Sequence, residues 1–313
     1  MNLEARMRQL LTAGRLDLPV PGSGETPRRH RMLAAFGRDD LSIARLAEAH
    51  TDAVAILAEA GKRAVPGALY GVWASEIPNQ PLRVVERSGG ALAIDGMKGF
   101  CSGAGIVDRA LVTVRMPDHR LVNIDLRAYG ATVGFCDCGW ITQAFAETHT
   151  ATAKFSRTPI GEYDIVGPPG WYLDRPGFWH GACGPAACWV GGAMGLVHWA
   201  GEHCSDNPHA RAHLGAMEST VWAMEACLDA AGREIDADPA NREAAQRRAL
   251  SLRHTVEQGC VDILQRFGRV FGPRPLAFDA AISRRYQELE LYVRQSHAER
   301  DLEELGKLSL QRA

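Results

Sequence analysis

The chain has 313 residues, of which 46% are hydrophobic and 23% are charged, and its formal net charge is −2. A chain of this length can bury a large core and is expected to contain two or three domains. The near-neutral charge argues against nucleic acid and anionic membrane surfaces as partners.

The cysteines and the N-terminus indicate the cell compartment. The N-terminus lacks the apolar stretch of a secretory signal, and the eight cysteines form no CxxC pair. We therefore expect a cytoplasmic protein with reduced thiols. Cys136 and Cys138 form a lone CxC, but no second pair of ligands lies nearby in the sequence, so we expect no metal site.

The first 66 residues read as short helices. Leu3, Met7 and Leu10 recur at helical spacing, and a Pro/Gly/Ser loop spans 20–27. A second helix is predicted from near Thr26, and a third from 39–42 to Gly61. The Pro-Gly pair at 66–67 then marks a boundary.

From about 68 to 168 the pattern changes to strands. β-branched residues recur with period two, and Gly, Pro, Asp or Asn separate the runs. The runs read LRVVER, ALAIDG, ALVTVRM, LVNIDL, TATAKFSRTPI and EYDIVG. Many short strands at this spacing predict a small barrel or sandwich.

The remainder predicts four long helices, at about 176–201, 207–234, 239–271 and 276–308. Asn207 is a candidate N-cap for the second, with Pro208 just inside. The first contains no Asp, Glu, Lys or Arg, so it is either a membrane span or a buried helix. Its prolines, histidines and glycines favour a buried helix in an up-and-down bundle.

Five segments carry a resemblance to a known family. They are DLSIARLAEAH (40–50), YGVWASE (70–76), IDGMKGFCSGA (94–104), DRPGFWHGACGPAA (174–187) and QRFGRVFG (265–272). In order and spacing they resemble the acyl-CoA dehydrogenase family. The resemblance implies an α+β fold, with a truncated N-terminal helical domain at 1–66, a β domain at 67–172 and a C-terminal four-helix bundle at 173–313. It also implies FAD as cofactor.

By the same resemblance, several residues are assigned to the flavin. Trp73 and Ser75 line one edge of the ring, and Phe100 and Ser102 take the roles of the Trp and Thr in the family's W-x-T. Gln265 and Gly268 reach the FAD of a neighbouring subunit. An aromatic wall with a few fixed hydrogen-bond partners is what an isoalloxazine requires. Alternatively, Trp73 and Phe100 are core aromatics of the β domain.

The catalytic base departs from the family pattern. Where most members carry Glu in Y-E-G-T, this chain has Val293, and valine cannot abstract a proton. A minority of members place the base before an Arg at the start of the bundle, and Asp174 precedes Arg175 there. Asp174 is therefore the candidate base, and Phe178 and Trp179 are expected to bury it. Alternatively, it is a turn or N-cap residue.

These observations leave three functions open. The first is FAD-dependent α,β-dehydrogenation of an acyl thioester, on CoA or on a carrier protein, with a separate electron acceptor. The second is a flavin-dependent monooxygenase or oxidase of the same fold, which the missing Glu favours. The third is a degenerate, non-catalytic subunit of a hetero-oligomer, which the short N-terminus favours.

We also expect a homo-oligomer, at minimum a dimer. The uncharged helix carries more apolar surface than one bundle face needs, and large exposed apolar patches are rare on monomers. Gly191, Gly192 and Gly195 would allow close contact with a second chain.

Overall fold

The protein is described by a computed structural model over residues 1–78, 80–116, 118–136 and 139–311. The helices are α1 (Leu3–Thr12), α2 (Thr26–Asp39), α3 (Leu41–Glu59), α4 (Trp171–Asp174), α5 (Pro176–Gly181), α6 (Cys183–His203), α7 (Pro208–Ala237), α8 (Arg242–Phe271), α9 (Arg274–Phe278), α10 (Ala280–Val293) and α11 (Glu299–Leu310). The strands are β1 (Tyr70–Trp73), β2 (Arg83–Glu86), β3 (Leu92–Cys101), β4 (Arg109–Met116), β5 (Asp118–Asp125), β6 (Val133–Cys136), β7 (Ala151–Ile160) and β8 (Ile165–Val166).

The chain divides into two compact units. Unit 1 comprises Met1–Asp17 and Leu46–Phe178, and unit 2 comprises Leu18–Arg45 and Trp179–Ala313. Each unit draws on more than one of the segments 1–66, 67–172 and 173–313. Those three domain limits stay a prediction.

Unit 1 is built on a mixed sheet. Within the described residues its strands run in the order β6-β7-β3-β2-β4-β5-β8, with β1 also paired to β4. The pairs β3–β7, β4–β5 and β6–β7 are antiparallel, whereas β1 and β2 each run parallel to β4. The predicted β region is confirmed, and β1 and β6 are strands that the alternation did not reveal.

One layer of the unit 1 core forms where the second half of α3 packs on the sheet. Ala53, Ile56 and Leu57 are spaced to face one way from the helix. They meet Tyr70, Leu111, Leu121, Val166 and Tyr172, all of which are buried. This packing anchors the beginning of β1, from which the candidate site extends.

Unit 2 is helical, and α6 lies at its centre. Helices α2, α7, α8 and α10 all contact α6, and 14 of its 21 residues are buried. The expectation of a buried uncharged helix is therefore confirmed. Within the described residues, no helix combines the length and the apolarity needed to cross a membrane.

Glycines let α2 pack closely on α6. A Cβ on Gly191 would lie 2.0 Å from the Ala34 carbonyl oxygen, and a Cβ on Gly37 would lie 2.4 Å from the Cys188 carbonyl oxygen. Those distances are far inside van der Waals contact, so only glycine fits. Gly191, Gly192 and Gly195, which we expected at a subunit contact, thus pack against other parts of the same chain. They no longer support a homo-oligomer, which stays a prediction.

The second and third predicted C-terminal helices agree with α7 and α8, whereas the first, at 176–201, is divided into α5 and α6 at Ala182. Asn207 caps α7, since its side-chain oxygen accepts from the His209 amide at 2.8 Å, as predicted. The prediction of a single fourth helix was wrong. The range 276–308 covers the end of α9, all of α10 and most of α11. Asp279 ends α9 and caps α10 by accepting from the Ala281 amide at 3.0 Å, and Ala298 has a φ of 45° just before α11.

Candidate functional site

The indole of Trp73 is fixed at the end of β1. It is 2% exposed, and its Nε1 donates to the Ser102 carbonyl oxygen at 3.1 Å. Gly71, two residues earlier, leaves room for the ring, because a Cβ there would lie 2.9 Å from that Nε1. The Tyr-Gly-Val-Trp sequence therefore seats a large aromatic side chain against the end of β3.

Phe100 is turned outward by a bulge at the end of β3. The register with β7 shifts between Lys98 and Cys101, and Phe100 adopts a φ of 54°, a left-handed conformation that bulky residues rarely occupy. Its side chain is 67% exposed. Backbone strain of this kind is found preferentially at functional sites. The observed conformation thus presents an aromatic ring to solvent two residues before Ser102.

Phe135 adds a second exposed ring beside Trp73. Its side chain is 42% exposed, and its ring meets the Trp73 ring edge-on, with centroids 6.0 Å apart. Phe135 lies on β6, where it pairs with Ala153, and Ala153 pairs in turn with Lys98 of β3. The aromatic surface therefore draws on β1 and β6, next to the bulge of β3.

Hydroxyl groups form a polar edge next to these rings. The Ser102 and Thr150 hydroxyl oxygens are 2.9 Å apart, and those of Thr150 and Thr148 are 3.0 Å apart. Thr148 in turn donates to the Phe145 carbonyl oxygen at 2.8 Å. This row holds the Ser102 side chain in one orientation.

Ser75 follows Trp73 on an exposed segment that continues into charged residues. Glu76 lies 3.4 Å from Arg115 and 3.8 Å from His119. Burial lowers the pKa of His119, with a further lowering from Arg115. This corner of the site thus carries one carboxylate between two basic side chains.

A groove of about 1050 Å³ begins at Glu76. Its lining combines charged side chains, among them Arg83 and Arg115, with an apolar floor. That floor includes Val84, Val85, Leu92 and Met116. Small-molecule sites commonly combine apolar walls with a few polar groups in this way.

Beneath the segment that links Trp73 to Glu76 lies a lysine. Lys98 is 1% exposed, and its Nζ donates to the Thr113 hydroxyl at 2.8 Å. Burial lowers the pKa of Lys98 to about 8. Thr113 in turn donates to the Ala74 carbonyl oxygen at 3.2 Å.

The structure brings Trp73, Phe100 and Ser102 into one part of unit 1, with Ser75 two residues beyond Trp73. Sequence reasoning missed four residues of this region: Lys98, Thr113, Phe135 and Thr150. The available signal for Lys98 was its place in the segment 94–104, one of the five that carry the family resemblance.

Asp174 is the last residue of α4 and is exposed. Its amide donates to the Gly170 carbonyl oxygen at 3.3 Å, as in a short helical turn. The burial expected for this carboxylate is therefore absent. Its catalytic role stays a prediction.

The remaining assigned residues lie in unit 2. Gln265 on α8 is exposed, and no heavy atom lies within 4 Å of the position a Cβ would take on Gly268. This face of α8 is open. The neighbouring Phe267 is instead buried, in contact with the rings of Trp199 and Phe271.

Val293, which takes the place of the family's catalytic Glu, is fully buried in unit 2. The adjacent Tyr292 packs edge-on against Trp189, with ring centroids 6.1 Å apart. This position is part of the core of the unit.

The CxC pair is described only in part. Cys136 is disulfide-bonded, which departs from the expected reduced thiols, and Cys138 lies outside the described residues. Within the described residues, no group of three or more His, Cys, Asp or Glu side chains could hold a metal ion.

Comparisons with known proteins find the fold but no sequence family. No family model and no curated protein matches the chain. TdsC from Paenibacillus sp. A11-2, a dibenzothiophene monooxygenase, in complex with FMN and indole, matches with a TM-score of 0.81 at 16% identity, over 99% of this chain and 96% of that one. KijD3 in complex with FMN and a dTDP-linked amino-keto sugar matches with a TM-score of 0.81 at 13% identity, over 99% and 91%.

Methanesulfinate monooxygenase MsuC from Pseudomonas fluorescens matches with a TM-score of 0.72 at 17% identity, over 99% of this chain and 95% of that one. TdsC and KijD3 are solved with FMN bound, and the similar structures share the acyl-CoA dehydrogenase fold. At these identities the likeness establishes architecture. The chain therefore has the acyl-CoA dehydrogenase fold.

Proposed function

We propose that this protein is a flavin-dependent oxidoreductase whose flavin ring packs on unit 1. One observation carries the proposal: the bulge at the end of β3 holds Phe100 in a left-handed conformation, 67% exposed, beside the row of fixed hydroxyls that begins at Ser102. A left-handed conformation is costly for a bulky residue, and such strain is found preferentially at functional sites. When bound, a flavin supplies a two-electron acceptor or donor.

The residues of unit 1 fit such a ring. Phe100 and Phe135 offer apolar ring faces, and Trp73 supports Phe135 from beneath. The hydroxyl of Ser102 and the backbone and side chain of Ser75 supply hydrogen-bond partners for polar ring atoms. Together they meet the need for an aromatic wall with a few convergent polar groups.

We propose FAD as the physiological flavin, bound in a homo-oligomer. Gln265 and Gly268 would contact the FAD of a second copy, and support comes from the exposed glutamine and the open space above the glycine. Two of the similar structures, those of TdsC and KijD3, contain FMN, so the experiment must test whether the adenylate half of FAD is bound. Gln265→Ala should weaken FAD binding and leave FMN binding unchanged, with Gln258→Ala on the same helix as control.

The first candidate reaction is α,β-dehydrogenation of an acyl thioester. Asp174 would take the α-proton of the substrate, and a separate acceptor would reoxidise the flavin. The residue has the right chemistry, and its exposure leaves it open to a substrate. Asp174→Asn should then bind flavin normally and lose reduction by acyl-CoA.

The second candidate reaction is oxidation of a small molecule by oxygen with a reduced flavin. A specific observation favours it: the position that matches the family's catalytic Glu is the fully buried Val293. The names of the similar structures agree with this reaction. It needs no carboxylate base at either position.

One pair of measurements separates these reactions. The flavin-loaded protein is mixed anaerobically with acyl-CoAs of several chain lengths, and flavin bleaching is recorded. The same protein is supplied with enzymatically reduced flavin, oxygen and indole, and product formation is followed by mass spectrometry. Bleaching identifies the dehydrogenase, an oxygenated product identifies the oxygenase, and failure to bind any flavin identifies a degenerate subunit.

A further inference from the structure

A buried lysine lies under the candidate flavin site, and among the described residues no carboxylate is in direct contact with it. Lys98 Nζ is 2.8 Å from the Thr113 hydroxyl, and both residues are almost fully buried. Taking an ammonium out of water is unfavourable unless it is paired and fully hydrogen-bonded. An apolar side chain at this strand position would fill the space without that penalty, so the ammonium calls for a reason beyond packing.

The geometry at the end of β1 supplies the reason. The last β1–β4 register pair is Trp73 with Val112, and beyond it the chain leaves β4. The Ala74 carbonyl then accepts from the side chain of Thr113, the next residue on β4, at 3.2 Å. Because an ammonium can only donate, Lys98 occupies an acceptor site of the Thr113 hydroxyl and directs its proton to Ala74.

Charged and titratable groups surround this arrangement. Burial opposes the charged form of Lys98 most, Glu76 favours it, and Arg115 opposes it. His119 on β5 faces the same cluster. The Lys98–Thr113 pair is the buried part of this cluster of charged groups.

We propose that Lys98 is the positioning residue of the flavin site. Through Thr113 it fixes the backbone at Ala74 and with it the segment from Trp73 to Glu76, on which one edge of the ring rests. The inference depends on the proposed function, since it concerns the same site. It adds a residue that does not touch the cofactor and acts only through the backbone.

The test uses the full-length protein and its flavin affinity. Lys98→Met keeps an unbranched side chain, one atom shorter, and removes the charge. Thr113→Val keeps the shape and removes the hydroxyl. Thr158→Val is the matched control, because Thr158 is equally buried in the sheet and its hydroxyl donates at 3.1 Å to the Thr132 carbonyl, away from the site. FMN and FAD dissociation constants are measured by flavin fluorescence, and hydrogen exchange of β1 is measured in the flavin-free protein.

We expect Lys98→Met and Thr113→Val each to weaken flavin binding about tenfold, the size of a lost hydrogen bond. Both should speed hydrogen exchange in β1. Lys98→Met should do so without lowering the melting temperature, whereas Thr113→Val should lower it, because the buried Lys98 ammonium loses its hydroxyl partner. Thr113→Ser keeps that hydroxyl and should retain wild-type affinity. Thr158→Val should leave flavin affinity and β1 exchange unchanged.

Two results would overturn the inference on its own. Lys98→Met could bind flavin as tightly as wild type, or Thr158→Val could weaken binding as much as Lys98→Met does. If instead the wild-type protein binds neither FMN nor FAD, the proposed function fails and the inference falls with it. The wild-type titration distinguishes the two failures.

Discussion

Replacing Gly191 by alanine tests the packing of α2 on α6 most sharply. The new Cβ would lie 2.0 Å from the Ala34 carbonyl oxygen and 2.8 Å from the Arg38 amide nitrogen, whereas ordinary contact begins at 3.4 Å. Both atoms belong to helix backbone, so α2 must move by about 1.4 Å, the difference between 3.4 and 2.0 Å. That movement would disturb the buried face of α2, which includes Leu33 and Phe36.

The magnitude follows from two opposed terms. Overpacking of this kind destabilises by about 1–3 kcal/mol or more. Alanine gains up to about 1 kcal/mol over glycine in a helix interior. The overlap here is with backbone that cannot rotate away, so we expect a net loss of roughly 2 kcal/mol.

Gly201→Ala in the same helix is the control. No heavy atom lies within 4 Å of its added Cβ, and the residue is exposed, so it should be neutral or slightly stabilising. Urea unfolding followed by circular dichroism gives the midpoint of the helical transition for each variant. A Gly191→Ala protein as stable as Gly201→Ala would refute the packing described here. If Gly191→Ala instead changes the oligomeric state, Gly191 lies at a subunit contact.

Three further predictions concern pH and the candidate site. Burial lowers the pKa of His50 and of His30 to about 4 from 6.5, so the unfolded chain binds more protons between these values and stability falls as the pH drops from 6.5 to 4. Each histidine accounts for up to about 3 kcal/mol of this loss in unfolding free energy. His50→Asn keeps an acceptor for the Tyr70 amide and should remove the part of the loss that is due to His50, as measured by urea unfolding at several pH values. Phe100→Ala should weaken flavin binding at least tenfold with an unchanged melting temperature, since an exposed ring adds little to the core; equal affinity would remove Phe100 from the site. Asp174→Asn should slow anaerobic flavin reduction by acyl-CoA about 10²–10⁴-fold if the dehydrogenase reaction operates, and a wild-type rate would make it a turn residue.

Much of the fold could be predicted because its signals are local. The alternating runs gave the strands around Val84, Ile94 and Val112, and the Asn207-Pro208 pair marked the start of α7. The short strand β1 was missed because Gly71 breaks its alternation. Likewise, the break before α10 depends on a capping bond of Asp279, which a continuous helical pattern conceals.

The candidate site was only partly accessible from sequence for a different reason. Resemblance assigned Trp73 and Ser102, and their hydrogen bond is a finding of the structure. The exposed conformation of Phe100 arises from a register shift against β7, which no single strand encodes. The support from Lys98 depends on Thr113 of a neighbouring strand, so it emerges only when the strands pair.

Flavin binding is tested most directly by titrating the purified full-length protein with FMN and with FAD and following the visible absorption spectrum. We expect saturable binding of one flavin per chain, with a perturbed flavin spectrum. Phe100→Ala and Ser102→Ala should weaken that binding, and Thr158→Val should leave it unchanged. Absence of binding of either flavin, or binding that is indifferent to Phe100 and Ser102, would contradict this expectation.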